Sequence, residues 1–153
     1  MSLHSYSRCW IHFIWGTLNK QPLLQKSAVV KVSSYLHEYA ESKNIYMKIN
    51  YVNPDHLHAL IDLPTKYSIE EAAKLLKGAS SHWINKNDVI AAKFSWGRGY
   101  GAFSTAQSTT ESVAKYIAGQ EEHHRKKTFS EEYESFVRSY GLRWRDDGDN
   151  KNR

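Results

Sequence analysis

His56-Leu57-His58 places two imidazoles two residues apart. The apolar run that follows, Ala59-Leu60-Ile61-Asp62-Leu63, reads as a strand, on which alternate side chains share a face. His56 and His58 therefore point the same way and make half of a metal site. Tyr116 precedes Gln120 by four residues within Ser112–Gln120, a helical segment in which positions i and i+4 share a face. The tyrosine offers a nucleophile and the amide a further polar ligand. Gln120 cannot act as a base, so its carbonyl oxygen is the atom that could ligate. Together the two pairs suggest metal-assisted attack of a phenolic oxygen on a phosphodiester, leaving a phosphotyrosine linkage that a second strand end can reverse. Mixed imidazole and amide ligation suits Mn²⁺ better than Mg²⁺ by hardness, although phosphate oxygens can complete either shell.

These residues need elements to hold them. Tyr6 to Leu18 is rich in Trp, Ile and Phe and reads as a first strand. Val29, Val32, Leu36 and Tyr39-Ala40 recur at helical spacing between Leu24 and Ser42. From Asn44 to Val52 the chain alternates, with Ile45, Met47, Ile49 and Tyr51 on one side and Tyr46, Lys48 and Asn50 on the other. Asn53-Pro54-Asp55 is turn chemistry, so the next strand, His56 to Leu63, returns as a hairpin with its histidines near the middle of a sheet. Ser68 and Glu71 form a capping box ahead of the stripe Ile69, Ala72, Ala73, Leu76, Ala79, Trp83 and Ile84. Phe94 to Thr105 reads as a glycine-rich loop entering a last strand, Ser108 with Glu111 as a second capping box opening the tyrosine helix, and Ser130 to Tyr140 as a short final helix. Gly119 is an unusual residue inside a helix. The order predicts an α+β fold: a ferredoxin-like βαββαβ antiparallel sheet with helices on one face, plus C-terminal helices carrying the tyrosine.

Length and composition agree with a single domain over residues 1–153 that buries its own core, with 145–153 as a flexible tail: 41% of residues are apolar and 24% charged. No apolar run approaches about 18 residues, the N-terminus lacks the pattern of a signal peptide, and one cysteine precludes an internal disulfide. A cytoplasmic location is expected, with Cys9 as a packing residue. The net charge of +5 suits a polyanionic partner. Trp96-Gly97-Arg98-Gly99-Tyr100 and Arg143-Trp144-Arg145 interleave rings with cations, which suits unstacked bases and phosphates. Lys74, Lys77, Lys86, Arg98, Tyr100 and Arg125 are the expected DNA contacts. His123-His124 belongs to a solvated basic turn, and His4, His12, His37 and His82 have no ligand-like spacing.

Three blocks carry a family resemblance: Asn53-Pro54-Asp55-His56-Leu57-His58-Ala59-Leu60-Ile61, then Phe94 to Ser104, then Tyr116-Ile117-Ala118-Gly119-Gln120-Glu121-Glu122-His123-His124. In order and separation the chain resembles the single-tyrosine HUH transposases of the insertion-sequence 200-like family, from roughly Tyr6 to Leu142. The resemblance implies that His56 and His58 bind a divalent metal, Mg²⁺ or Mn²⁺, with Gln120 as a further ligand. It implies that Tyr116 forms a 5′-phosphotyrosine intermediate and releases a 3′-hydroxyl. It further implies single-stranded DNA with subterminal hairpins as substrate, no need for ATP, and a homodimer in which the tyrosine helix of one subunit completes the other's site. A domesticated nickase of chromosomal repeats shares this chemistry. A non-catalytic ferredoxin-like nucleic-acid-binding module is the competing class, though it gives Tyr116 and the histidines no role.

Overall fold

The protein is described here from a computed structural model that covers residues 5–124 and 126–145. Four strands, β1 (Trp10–Gly16), β2 (Tyr46–Val52), β3 (His56–Asp62) and β4 (Gly101–Thr105), form one sheet in the order β2-β3-β1-β4. Every neighbouring pair is antiparallel. With α1 (Lys26–Ser42) after β1 and α2 (Ile69–Lys86) after β3, this is the expected βαββαβ arrangement. The histidine strand is central, flanked by β2 and β1.

Period-two alternation divides β1 and β3 between two faces. Ile11, Phe13 and Trp15 join Leu57, Ala59 and Ile61 on one face, where Val32 and Leu36 of α1 and Leu76 and Ile84 of α2 close the main core. His12, Ile14, His56, His58 and Leu60 belong to the other face. That face is covered by the C-terminal helices α3 (Thr110–Ala118) and α5 (Phe129–Ser139), with the short α4 (Gln120–His123) between them. No helix among the described residues is long and apolar enough to cross a membrane.

Three local expectations need correction. The strict alternation of the second strand fails because the register with β3 shifts between Met47 and Ile49. A bulge adds one residue and exchanges the faces beyond it. Ile45 and Met47 enter the main core, whereas Ile49 and Tyr51 pack beside Trp10, Leu60 and Ile117 on the opposite side. Beyond the bulge Asn50 turns inward: it is buried and accepts a 2.7 Å hydrogen bond from the Ser33 hydroxyl. The Ser108–Glu111 capping box does not form: a 3₁₀ turn (Gln107–Thr109) precedes α3, and Glu111 pairs with Lys48 at 2.7 Å. Cys9 is exposed, one residue short of β1, so it is not a packing residue.

The Ser68–Glu71 box is present, and Thr128 and Glu131 make a second one at the start of α5. In that box the Thr128 hydroxyl accepts from the Glu131 amide at 3.2 Å, and the Thr128 amide donates to the Glu131 carboxylate at 2.9 Å. Gly16 and Gly101 are both closely approached by aromatic rings. A Cβ on Gly16 would lie 2.6 Å from Cε2 of the buried Phe129 ring and 3.3 Å from the Asp55 carbonyl. Gly16→Ala must displace that ring, so it should cost about 1–3 kcal/mol as an overpacked site does. Chemical denaturation of the variant beside the wild type measures this.

Candidate functional site

β3 delivers His56 and His58 to the C-terminal face, both fully buried. Their ring centroids are 5.3 Å apart. α3 places Tyr116 above them, its ring 6.0 Å from that of His58 and nearly perpendicular to it. α3 ends at Gly119, whose φ of −90° and ψ of 19° leave helical geometry, and Gln120 begins α4. The helix expected to run through Gly119 is therefore broken there, at the residue of lowest helix propensity after proline. Tyr116 and Gln120 nevertheless converge, because both reach the same carboxylate.

That carboxylate is Glu132 of α5, only 3% exposed. Its Oε1 lies 3.0 Å from His58 Nε2, 3.3 Å from His56 Nε2 and 3.2 Å from His124 Nε2. Its Oε2 accepts from Gln120 Nε2 at 2.9 Å and from the Tyr116 hydroxyl. Gln120 Oε1 is 3.0 Å from His124 Nε2 and 3.4 Å from His56 Nε2. Ligand atoms of His56, His58, His124 and Glu132 all lie within 4.8 Å of one another, as a shared cation requires. Three imidazoles, a carboxylate and an amide oxygen are a donor set for a divalent transition ion. The outer contacts agree with this: His56 Nδ1 faces Asp55 Oδ1 at 2.7 Å and His58 Nδ1 faces His12 Nε2 at 2.8 Å, which leaves each Nε2 on the cluster. The fit therefore holds on the residues present.

The electrostatics follow from burial and from this one anion. Burial raises Glu132, but hydrogen bonds from His124, His56 and His58 outweigh it and hold the carboxyl far below its usual range. Burial lowers His58, and its contact with Glu132 does not restore it. His56 is also lowered by burial, yet Asp55 and Glu132 together carry it upward. Tyr116 is pushed well above a free phenol by burial and by the adjacent carboxylate. Tyr116 and Glu132 line a cavity of about 190 Å³ with Lys127, Ser135, Phe136 and Ser139. Phe129 stacks on His56 at 4.1 Å and 11°, and His123 packs on the Tyr116 ring at 4.4 Å.

The structure thus gathers Tyr116, His56, His58 and Gln120, and adds three groups that the sequence reading passed over. Glu132 occupies an apolar-stripe position of α5, three residues after Phe129 and four before Phe136, and a carboxylate there is the signal. His124 stands four residues after Gln120, the spacing that had linked Gln120 to Tyr116; it is a partner of the cluster, not part of a solvated turn. His12 sits between Trp10 and Ile14 on the site face of β1. Among the expected DNA contacts, Arg98 and Tyr100 line a groove of about 310 Å³ with Lys20, Tyr133, Arg143 and Trp144. Lys77 donates to the carbonyls of Gly97 and Gly99, both at 2.8 Å, and so braces that loop. Lys74, 3.6 Å from Glu70, and Lys86 lie on α2, across the sheet from the histidines. Arg125 lies outside the described residues, as does the tail over 146–153.

A sequence model of the family described as transposase IS200 like matches residues 5–120, and the chain belongs to that family. Among solved structures it is similar to a protein from Deinococcus radiodurans R1 described as a transposase, with a TM-score of 0.62 and 20% identity over 78% of this chain and 96% of that one. It is also similar to a REP-associated tyrosine transposase solved with a REP hairpin, with a TM-score of 0.59 and 14% identity over 96% of this chain and 93% of that one. These two likenesses establish the shared fold. Comparison with curated proteins finds no match.

His12 gives the site a pH signature. Burial, then the neighbouring His58, lower it from its ordinary 6.5 to about 3. A lowered folded-state value means that the unfolded chain takes up the proton first, so stability is full above pH 6.5 and falls as pH drops toward 3. In metal-free protein, wild type should lose up to about 1.4 kcal/mol more per pH unit than His12→Gln between roughly pH 6 and 4.5. Urea denaturation at stepped pH values measures the difference.

Proposed function

We propose that this chain cleaves and rejoins single-stranded DNA through a 5′-phosphotyrosine at Tyr116. The observation that carries the reading is the convergence of the phenol, both imidazoles of the His-x-His strand and the Gln120 amide on one buried carboxylate. In the cleavage step Tyr116 Oη forms a bond to phosphorus, the bond from phosphorus to the 3′-oxygen breaks, and that oxygen leaves as a 3′-hydroxyl after taking a proton. Glu132 accepts the hydrogen bond of the Tyr116 hydroxyl and so orients it, and the proton that Tyr116 gives up balances the one the 3′-oxygen takes. Rejoining is the reverse, with a second strand's 3′-hydroxyl attacking phosphorus and Tyr116 leaving. His56, His58 and Gln120, with His124 and Glu132, would hold Mn²⁺ or Mg²⁺, which supplies the positive charge that stabilises the phosphate in flight.

The substrate is proposed to be single-stranded DNA with subterminal hairpins. Its unpaired segment is placed in the groove of Arg98, Tyr100 and Trp144, where rings can stack on bases and cations can meet phosphates. The protein is taken as a homodimer, as the resemblance implies; light scattering in solution tests the mass. The likeness to a REP-associated enzyme extends over 96% of this chain and favours a second reading in which the hairpin belongs to a chromosomal repeat. The chemistry is the same in both.

Incubation with single-stranded DNA from the ends flanking its gene, with Mn²⁺, should give a covalent adduct that mass spectrometry maps to Tyr116. Tyr116→Phe should bind the same DNA and form none; binding by the wild type with either metal and no adduct would overturn the catalytic reading. Trp144→Ala should weaken binding of unpaired oligonucleotide by about 1–3 kcal/mol, the worth of one stacked base. Arg98→Ala should also lower the salt dependence of binding, as loss of one phosphate contact does. Fluorescence anisotropy at several salt concentrations measures both.

A further inference from the structure

We propose that His12 is a positioning residue for His58: with a cation in the cluster it accepts a hydrogen bond from His58 Nδ1 and so keeps the Nε2 lone pair of His58 directed at that cation. The inference rests on the metal reading above. A neutral imidazole carries one proton, on one nitrogen or the other. Ligation through Nε2 requires the proton on Nδ1, and because His58 is fully buried that proton needs an acceptor from the protein. His58 is fully buried, and its Nδ1 lies 2.8 Å from His12 Nε2. His12 must then keep its own proton on Nδ1.

The position is built for the purpose. β1 pairs with β3 so that His12 stands opposite Leu60 and Ile14 opposite His58, which puts the two histidines on a diagonal of the same face. Their rings are tilted by 31° with centroids 5.1 Å apart. The Phe136 ring meets His12 edge-on at 5.0 Å and blocks rotation on the helix side. His56 has the same kind of outer contact with Asp55 at 2.7 Å. Each strand histidine therefore has its own partner at the nitrogen away from the cluster, a carboxylate for one and an uncharged ring for the other.

The test compares His12→Gln, which keeps an acceptor carbonyl, with His12→Met, which fills similar space without one. Calorimetric titration of the metal-free proteins with Mn²⁺ should show affinity about 10–100-fold weaker for His12→Met and close to wild type for His12→Gln. Equal affinities for the two variants would overturn the positioning role, whether both fall or neither does. Long-range ¹H–¹⁵N spectra of the Zn²⁺-loaded wild type, which need no variant to fold, should show the His58 proton on Nδ1; a proton on Nε2 overturns the inference. Failure of the wild type itself to take up Mn²⁺ would overturn the metal reading and this proposal together, a result distinct from the first two.

Discussion

Taking a carboxylate out of water costs several kcal/mol unless donors replace its hydration shell. Glu132, 3% exposed, has that shell rebuilt by three imidazole nitrogens, an amide and a phenol. The donors come from β3, α3, α4 and the turn beyond α4, so one anion ties every element on that face of the sheet to the others. A cation at the same point would answer the same need. The residues on this face are arranged around charge compensation.

The sheet supplies precision and the helices supply reach. β3 is hydrogen-bonded on both sides, so the spacing of His56 and His58 is fixed by strand geometry and not by loop conformation. The main core on the opposite face holds that strand through Leu57, Ala59 and Ile61. Tyr116 and Gln120 sit on either side of a helix break, which lets each approach the carboxylate at its own angle. Phe129 closes the remaining side by stacking on His56 in space that only a glycine at position 16 leaves open.

Much of this was legible in the sequence because period and spacing are local properties. The alternation around His56, the capping box at Ser68 and the βαββαβ order all survive in the structure. What failed were features decided by a distant partner. The bulge near Met47 cannot be read from a run that alternates cleanly, since pairing with β3 creates it. Glu111 has the spacing of half a cap, but Lys48, far away in the chain, takes it. Glu132 escaped because a carboxylate in an amphipathic helix resembles a surface residue until its neighbours are in place. His12 and His124 escaped because they act through His58 and Gln120 rather than through a motif of their own.

The capping box at Thr128 sets more than the start of a helix. Each residue of an α-helix advances the side-chain direction by about 100°. Glu132 follows the box directly, so the point at which α5 begins determines the rotational phase at which its carboxylate meets the cluster. Moving that start by one residue would swing Glu132 away from the histidines and bring a neighbour round in its place. Between His124, which meets the cluster, and Thr128, which opens α5, the connection is thus constrained in length as well as at its two ends.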